Sequence, residues 1–323
     1  MKTTLPFYIL LLTCTFIIQS CQKELSDPGG NIIIINPLPV VDSNYLSKIY
    51  GISISGPLSD TGIIYTYNYD NLKRVVSING LSKDLYNYTQ ISYTYYYNNS
   101  DTVPFKSRAV SISANDPAQT MLRHDTTITW HFFDNTGRNT RDSMIHSVGN
   151  PSVPVPYYST LEIRNYSYGS GKIYGYRSFT GIYVPNPSYV FPDQKDTANI
   201  DALGNVTSNK AYRFNTIFSQ FELETTSAFT YDSKQSPFSR LSNFKTFGVF
   251  PSGETLFMEL PQYSNHVTQN EVHSLSMGGG GVHFDFSYTN LYNTNGLIKQ
   301  SDVNEQPPVP SNYMKISYTY IHL

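Results

Sequence analysis

Tyr65-Thr66-Tyr67-Asn68-Tyr69-Asp70-Asn71-Leu72-Lys73-Arg74-Val75-Val76-Ser77-Ile78 alternates aromatic and polar residues, breaks at an Asp/Asn-rich turn, and resumes as an aliphatic run. Alternation with period 2 puts Tyr65, Tyr67 and Tyr69 on one face of a strand. Asp and Asn favour turns because their side chains bond the backbone two residues on. The stretch reads as a β-hairpin: aromatic strand, turn, returning aliphatic strand.

The same grammar recurs. Ile91-Ser92-Tyr93-Thr94-Tyr95 continues to Tyr97, and Thr127 to Phe132, Val282 to Tyr288 and Ile316 to Tyr320 alternate in the same way. Phe133-Asp134-Asn135-Thr136-Gly137-Arg138, Ser170-Gly171 and Asn293-Thr294-Asn295-Gly296 supply further turns. The spacing is irregular, so this is not a repeat array of fixed period. Val148 to Tyr158 and Ile182 to Gly204, rich in Pro, Asn and Asp, read as surface loops. No stretch shows convincing helical periodicity. The expected fold is all-β: an antiparallel meander of long twisted hairpins closing into a half-barrel or open barrel, with a two-sheet sandwich as the alternative. A transmembrane barrel is a third option, and the short, polar-interrupted strands argue against it.

Composition bounds the function. The chain has 323 residues, with Lys+Arg 22 against Asp+Glu 24 and 28 tyrosines. A net charge of −2 leaves no nucleic-acid footprint. Aromatics at 15% exclude a long disordered protein. Two cysteines make neither a disulfide scaffold nor a Cys-based zinc site.

The N-terminus carries an address. Lys2 precedes an apolar run from Leu5 to Ile18 that fits a secretory h-region. It ends Ile17-Ile18-Gln19-Ser20-Cys21, which resembles a bacterial lipoprotein signal. That resemblance implies cleavage before Cys21 and acylation there; two or more acyl chains anchor a protein stably. Gln22-Lys23-Glu24 resembles the surface-export signal of Bacteroidota lipoproteins, and the polar stretch to Gly30 reads as a tether. The expected organisation is a signal peptide over 1–20, a lipidated Cys and tether over 21–44, and one β-rich domain over 45–323. The expected location is the outer membrane, lipid-anchored and facing the cell surface, with the periplasmic side as the alternative.

Tyr65 to Arg74 also resembles a degenerate tyrosine-aspartate (RHS-type) repeat. Phe229-Thr230-Tyr231-Asp232-Ser233-Lys234-Gln235-Ser236-Pro237-Phe238 resembles a signature of Bacteroidota envelope lipoproteins that carry such hairpins. Ser236 suits a helix cap and Pro237 the first helical position. That family carries no established catalytic residues, so the resemblance implies none here.

Candidate chemistry is sparse. The seven histidines show no metalloprotease spacing, and His131 and His283 fall on the non-aromatic faces of their strands. His124, Asp125 and Asp134 would need a hairpin to bring them together, and no metal or cofactor is expected. Gly278 to Gly281 lacks the Lys-Ser/Thr of a phosphate loop and reads as a loop before a strand. Glu222 and Glu224 share a strand face, which fits solvation. Tyr65, Tyr67, Tyr93, Tyr95, Phe284 and Phe286 read as core. Tyr96 points opposite to Tyr95 and Tyr97. If Leu161, Ile163 and Ile173 face the core, then Tyr166, Tyr168, Tyr174 and Tyr176 form an exposed aromatic patch on one hairpin, a binding-site signature. The function expected is a non-enzymatic, membrane-anchored binding module for glycan. The alternatives are a partner subunit of an outer-membrane complex with no ligand of its own and, last, a glycan hydrolase.

Overall fold

The Asp/Gly turns organise everything downstream of residue 44. The computed structural model describes residues 25–26, 32–33, 44–53, 62–83, 88–114, 122–149, 158–183, 192–241, 264–277, 280–305 and 313–323. Cys21 and residues 1–20, expected from sequence to be a signal peptide, lie outside these. A two-residue pair, β1 (Leu25–Ser26) with β2 (Ile32–Ile33), precedes the main body.

Sixteen strands follow. They are β3 (Asn44–Ser53), β4 (Gly62–Tyr69), β5 (Val75–Lys83), β6 (Tyr88–Tyr96), β7 (Lys106–Ala114) and β8 (Leu122–Phe133). Then come β9 (Asn139–Gly149), β10 (Tyr158–Gly169), β11 (Lys172–Tyr183), β12 (Gln194–Ile200) and β13 (Val206–Asn215). The last are β14 (Gln220–Gln235), β15 (His266–Met277), β16 (Gly280–Tyr292), β17 (Ile298–Glu305) and β18 (Tyr313–His322). Each pairs antiparallel with its chain neighbours, and β18 pairs back onto β3, so the meander is a closed barrel. Closure is complete, in place of the half-barrel, open barrel or sandwich expected from the alternation alone. Ile316 lies opposite Gly51 and Tyr318 opposite Ile49, so the first and last strands cover each other's hydrogen-bonding edge. β12 is a second departure: it runs through the stretch read from sequence as a loop, because the short polar strand Gln194–Ile200 has no aromatic alternation to announce it.

The turns from even to odd strands, together with both ends of the barrel chain, gather at one end. Four share one design. Asp70 Oδ1 accepts from the amides of Leu72 and Arg74, Asp134 Oδ1 from Thr136 and Arg138, and Asp201 Oδ1 from Leu203 and Asn205. Asn293 Oδ1 accepts from Leu297. The residue before the last in each has positive φ: Lys73 (62°), Gly137 (80°), Gly204 (82°) and Gly296 (80°).

Two halves of the wall have opposite polarity. On β16 to β18 and β3 to β6 the aromatics turn inward: Tyr67, Tyr95, Ile49 and Ile316 are buried together, with Tyr65, Tyr93, Phe286, Tyr318 and the 3-10 turn residues Phe238 and Leu241 packed on them. Their outer neighbours are polar. Asn68 bonds Ser77, Ser92 bonds Asn79, and Lys48 stands opposite Thr66 and Thr319. From β7 to β10 the order inverts. Ile128, Ile145 and Leu161 lie opposite one another on the outer face, while His131, Asp142 and Glu162 turn inward and are buried. Strand alternation alone puts His131 on the solvent face; it is buried, and Phe132 is the exposed neighbour. The reason is that His131 lies opposite Asp142, and the pair hydrogen-bonds where water is excluded.

Candidate functional site

Two features of the barrel could carry function: the polar belt inside and the aromatic surface outside.

The inner belt begins at β7. Ser107 Oγ lies 3.0 Å from His131 Nε2, and His131 Nδ1 lies 2.7 Å from Asp142 Oδ1. Asp142 is held further by Asn139 Nδ2 at 2.9 Å and by the Tyr166 hydroxyl at 3.0 Å. This is the connectivity of a Ser-His-Asp triad. It lacks what catalysis needs. Ser107 lies opposite Tyr95 and Thr129, both buried. β7 is paired on both sides, so its amides are engaged in the ladders and none is aimed at a developing oxyanion. The chain Ser107–His131–Asp142–Tyr166 therefore satisfies buried polar groups.

The belt continues as ion pairs. Glu162 contacts Arg164 and lies 3.8 Å from Arg177. Burial alone would lower the Arg164 pKa, but Glu162, Tyr166 and Asp142 outweigh it and hold the guanidinium charged. Burial dominates at Arg177, whose pKa falls in spite of Glu162. Asp196 is buried beside Asn209, and that burial raises its carboxyl to about 7. Further round, Ser227 Oγ lies 2.8 Å from His273 Nδ1, and His273 Nε2 3.3 Å from Glu271. Burial pushes Glu271 up, against the bond from His273. Glu162, with arginine, and Glu271, with histidine, are each held by a partner of their own, whereas a glycosidase acts with two carboxyls on one bond.

The metal arrangement considered from sequence does not form. His124 and Asp125 point to opposite faces of β8, and Asp134 is occupied by its own turn. Among the described residues no group of three or more His, Cys, Asp or Glu could hold a metal.

The aromatic patch is divided by the barrel wall. Tyr166 lies opposite Gly175 and Ser167 opposite Tyr174, so the two pairs of tyrosines are on opposite faces. Tyr166 and Tyr168 face inward, where Tyr166 bonds Asp142 and Tyr168 bonds the Asn139 carbonyl. Leu161 and Ile163, expected inside, are on the outer face with Tyr174 and Tyr176. Here the polar belt, not the aliphatic residues, takes the interior. Tyr96 is also outward, 39% exposed, but five strands away, with the Lys106 ammonium over its ring.

Around Tyr174, 44% exposed, and Tyr176 a larger surface assembles than strand alternation predicts. The Tyr176 hydroxyl bonds Asp193, which raises its pKa. Its ring meets Phe221 edge-on at 6.5 Å, and Phe221 meets Phe214 at 5.1 Å. Lys195 Nζ sits 3.9 Å from the Phe221 centroid. Beyond them the β13–β14 turn lifts Ile217 and Phe218 into solvent, 84% and 66% exposed. Sequence reasoning misses Phe214 and Phe221 because their contact depends on a bulge between Ala211 and Tyr212 that shifts the register. The one signal that could have found this surface is Ile217-Phe218, two large apolar residues inside a turn.

No family model matches the chain, and no curated protein matches it. Among solved structures, a porin-like protein from Bacteroides vulgatus is similar over 87% of this chain and 100% of its own, at 9% identity and a TM-score of 0.45. A porin-like protein from Bacteroides uniformis is similar over 85% and 96%, at 12% identity and a TM-score of 0.43.

Proposed function

We propose that the chain is a non-enzymatic outer-membrane lipoprotein, acylated at Cys21, whose barrel stands in water and binds glycan on its outer aromatic surface. The Asp-x-x-x-Arg turns support the likeness to envelope lipoproteins with tyrosine-aspartate hairpins. The outer wall supports a place in water. A membrane-spanning barrel shows lipid an apolar band about 25 Å tall. Here Lys48, Asp285, Asp302 and Lys315 occupy outward positions within the strands.

The observation that carries the glycan reading is the exposed Tyr174 beside Tyr176 and Phe221, flanked by Asp193 and Lys195. Aromatic faces pack on the C–H faces of sugars, and neighbouring charged and amide groups take their hydroxyls. The test is thermal unfolding of residues 31–323 against a broad glycan panel. Binding raises the midpoint by mass action, by about 2.7 kcal/mol at a hundredfold excess over Kd. A shift that Tyr174→Ala abolishes supports the site. Absence of any shift moves the weight to the second reading, a partner subunit of an outer-membrane complex. The outer row Ile128, Ile145 and Leu161 favours that alternative, because a sheet face with aliphatic residues outward suits a protein partner.

A further inference from the structure

We infer that the β13–β14 hairpin tip is a membrane-inserting element: Ile217 and Phe218 enter the apolar layer of the bilayer to which the chain is tethered. The inference rests on the lipid-anchor reading for its choice of partner, and on the tip itself for its mechanism. Asn215 Oδ1 accepts from the amides of Ile217 at 2.9 Å and Phe218 at 3.2 Å, and Ser219 closes the turn at φ 51°. Two large apolar side chains are thus held outward by a turn that satisfies its own backbone. They are the two most exposed large hydrophobics among the described residues. Beneath them Phe214 and Phe221 form an aromatic collar. Below the collar the charged residues divide between the faces: Lys195 and Lys210 are outward with Tyr176, whose hydroxyl bonds Asp193, while Arg213, opposite Gln194 and Glu222, is on the inner face and pairs with Glu224. An apolar tip, an aromatic collar and a polar tier are the order in which a bilayer interface presents its layers.

Reach permits it. The tip is at the end of the barrel opposite the Asp70, Asp134 and Asp201 turns, and the chain enters β3 at the turn end. Cys21 lies 23 residues before Asn44, and with Leu25 paired to Ile33 about 15 of those steps remain to extend, a reach of about 50 Å. A 12-residue strand spans only about 40 Å. The barrel can therefore turn its tip to the membrane that holds its anchor.

The test uses the chain from residue 21 onward with Cys21→Ser, which carries no acyl group, floated with phosphatidylcholine vesicles. The expected result is binding that the double variant Ile217→Ser/Phe218→Ser lowers roughly a hundredfold, given the transfer of two such side chains. Added phosphatidylglycerol should strengthen binding modestly through Lys195 and Lys210, and binding should not require it. The variant Leu72→Ser/Leu203→Ser, at the turn end, should bind like the parent; these leucines are 58% and 61% exposed. The inference is overturned if the folded chain does not bind, if the tip variant binds equally well, if the turn-end variant loses binding, or if binding requires anionic lipid. Acylation is read separately, by the mass of Cys21-containing peptide from cells, so loss of either reading leaves the other standing.

Discussion

Tyr97 donates its hydroxyl to the main-chain carbonyl of Val75, 2.7 Å away and 22 residues upstream. The bond ties the end of one rising strand to the first residue after the preceding turn. It recurs from Tyr168 to Asn139, Tyr231 to Val206 and Tyr320 to Ile298, and Tyr69 makes a like bond to Leu46 within β3. In two of these the turn arginine also stacks on the tyrosine, Arg74 at 4.4 Å from the Tyr97 ring and Arg138 at 5.0 Å from that of Tyr168. Asp, Arg, the following carbonyl and the next tyrosine thus form one stitch between adjacent hairpins. Tyrosine serves here because it fills space inside the barrel and its tip donates to a main-chain carbonyl on the next hairpin.

Each stitch is expected to contribute about 1 kcal/mol, the usual net value of one hydrogen bond. Tyr97→Phe keeps the ring and removes only the donor. Urea unfolding of Tyr97→Phe and Tyr231→Phe should show losses of that size, and the double variant should show their sum, since the two sites lie in different parts of the wall. Unchanged stability in both single variants would mean that the bonds are incidental to tyrosine packing.

The Asx turns make a matched pair of tests. Gly137 adopts φ 80° with nothing within 4 Å of a Cβ placed there, so Gly137→Ala isolates the backbone cost, about 1 kcal/mol. Lys73 holds the equivalent position at φ 62° with a side chain. Lys73→Gly should stabilise by up to about 1 kcal/mol, less the small losses of its bond to the Leu323 carbonyl and its contact with the Tyr45 ring. Thermal midpoints that move in the same direction for both variants would refute the shared turn geometry.

Much of this stitching is legible in the amino-acid order alone. Tyr69-Asp70 through Arg74 and Phe133-Asp134 through Arg138 announce the turns, because Asx bonding is local in sequence. What is not local cannot be read. Tyr166 and Tyr174 both sit in alternating strands, yet they are placed on opposite faces by the register across Ser170-Gly171. The period-2 rule fixes relative faces within a strand and is silent about which face is inside. At β8 the aromatic face is the natural choice for the interior, and Asp142 on β9 with Glu162 on β10 overrides it. The closing of β18 onto β3 joins residues more than 260 positions apart, beyond any sequence window.

Gly80 shows how closely the aromatic side is packed. A Cβ there would come within 2.5 Å of Tyr65 Cε1 and of Ile91 Cγ2. Both neighbours are inward on strands paired to β5, so neither can swing away freely. Gly80→Ala should cost about 1–3 kcal/mol through overpacking, even though alanine is better than glycine in an open strand. A stabilising outcome in urea unfolding would show that the interior has room beside Tyr65.

Asp134 should make the turn end acid-sensitive. Partial burial pushes its carboxyl up, but bonds from Thr136 and from the backbone and side chain of Arg138 win and bring it to about 2. An unfolded Asp titrates near 3.9. The stabilisation is thus complete above about pH 4 and is lost as pH falls through about 2. Asp134→Asn should therefore lose stability relative to the parent at pH 6, and the gap should narrow by pH 2.5. A gap independent of pH would mean that the hydrogen bonds matter and the charge does not.

Asp196 is the opposite case. Burial outweighs the bond from Asn209 and the pull of Arg177, and raises the carboxyl to about 7. The folded barrel therefore keeps a proton that the unfolded chain gives up near 3.9. Stability from this group is complete below about pH 4 and declines as pH rises to about 7. Above that, the fold must hold a buried carboxylate with Arg177 as its near cation. An asparagine in its place would carry no such charge, so Asp196→Asn should gain on the parent between pH 4 and pH 8, measured as the difference in urea midpoint at the two pH values. If the variant instead loses ground as pH rises, Arg177 and Arg164 are holding Asp196 ionised, and the inner belt is one connected ion-pair network from Glu162 to Asp196.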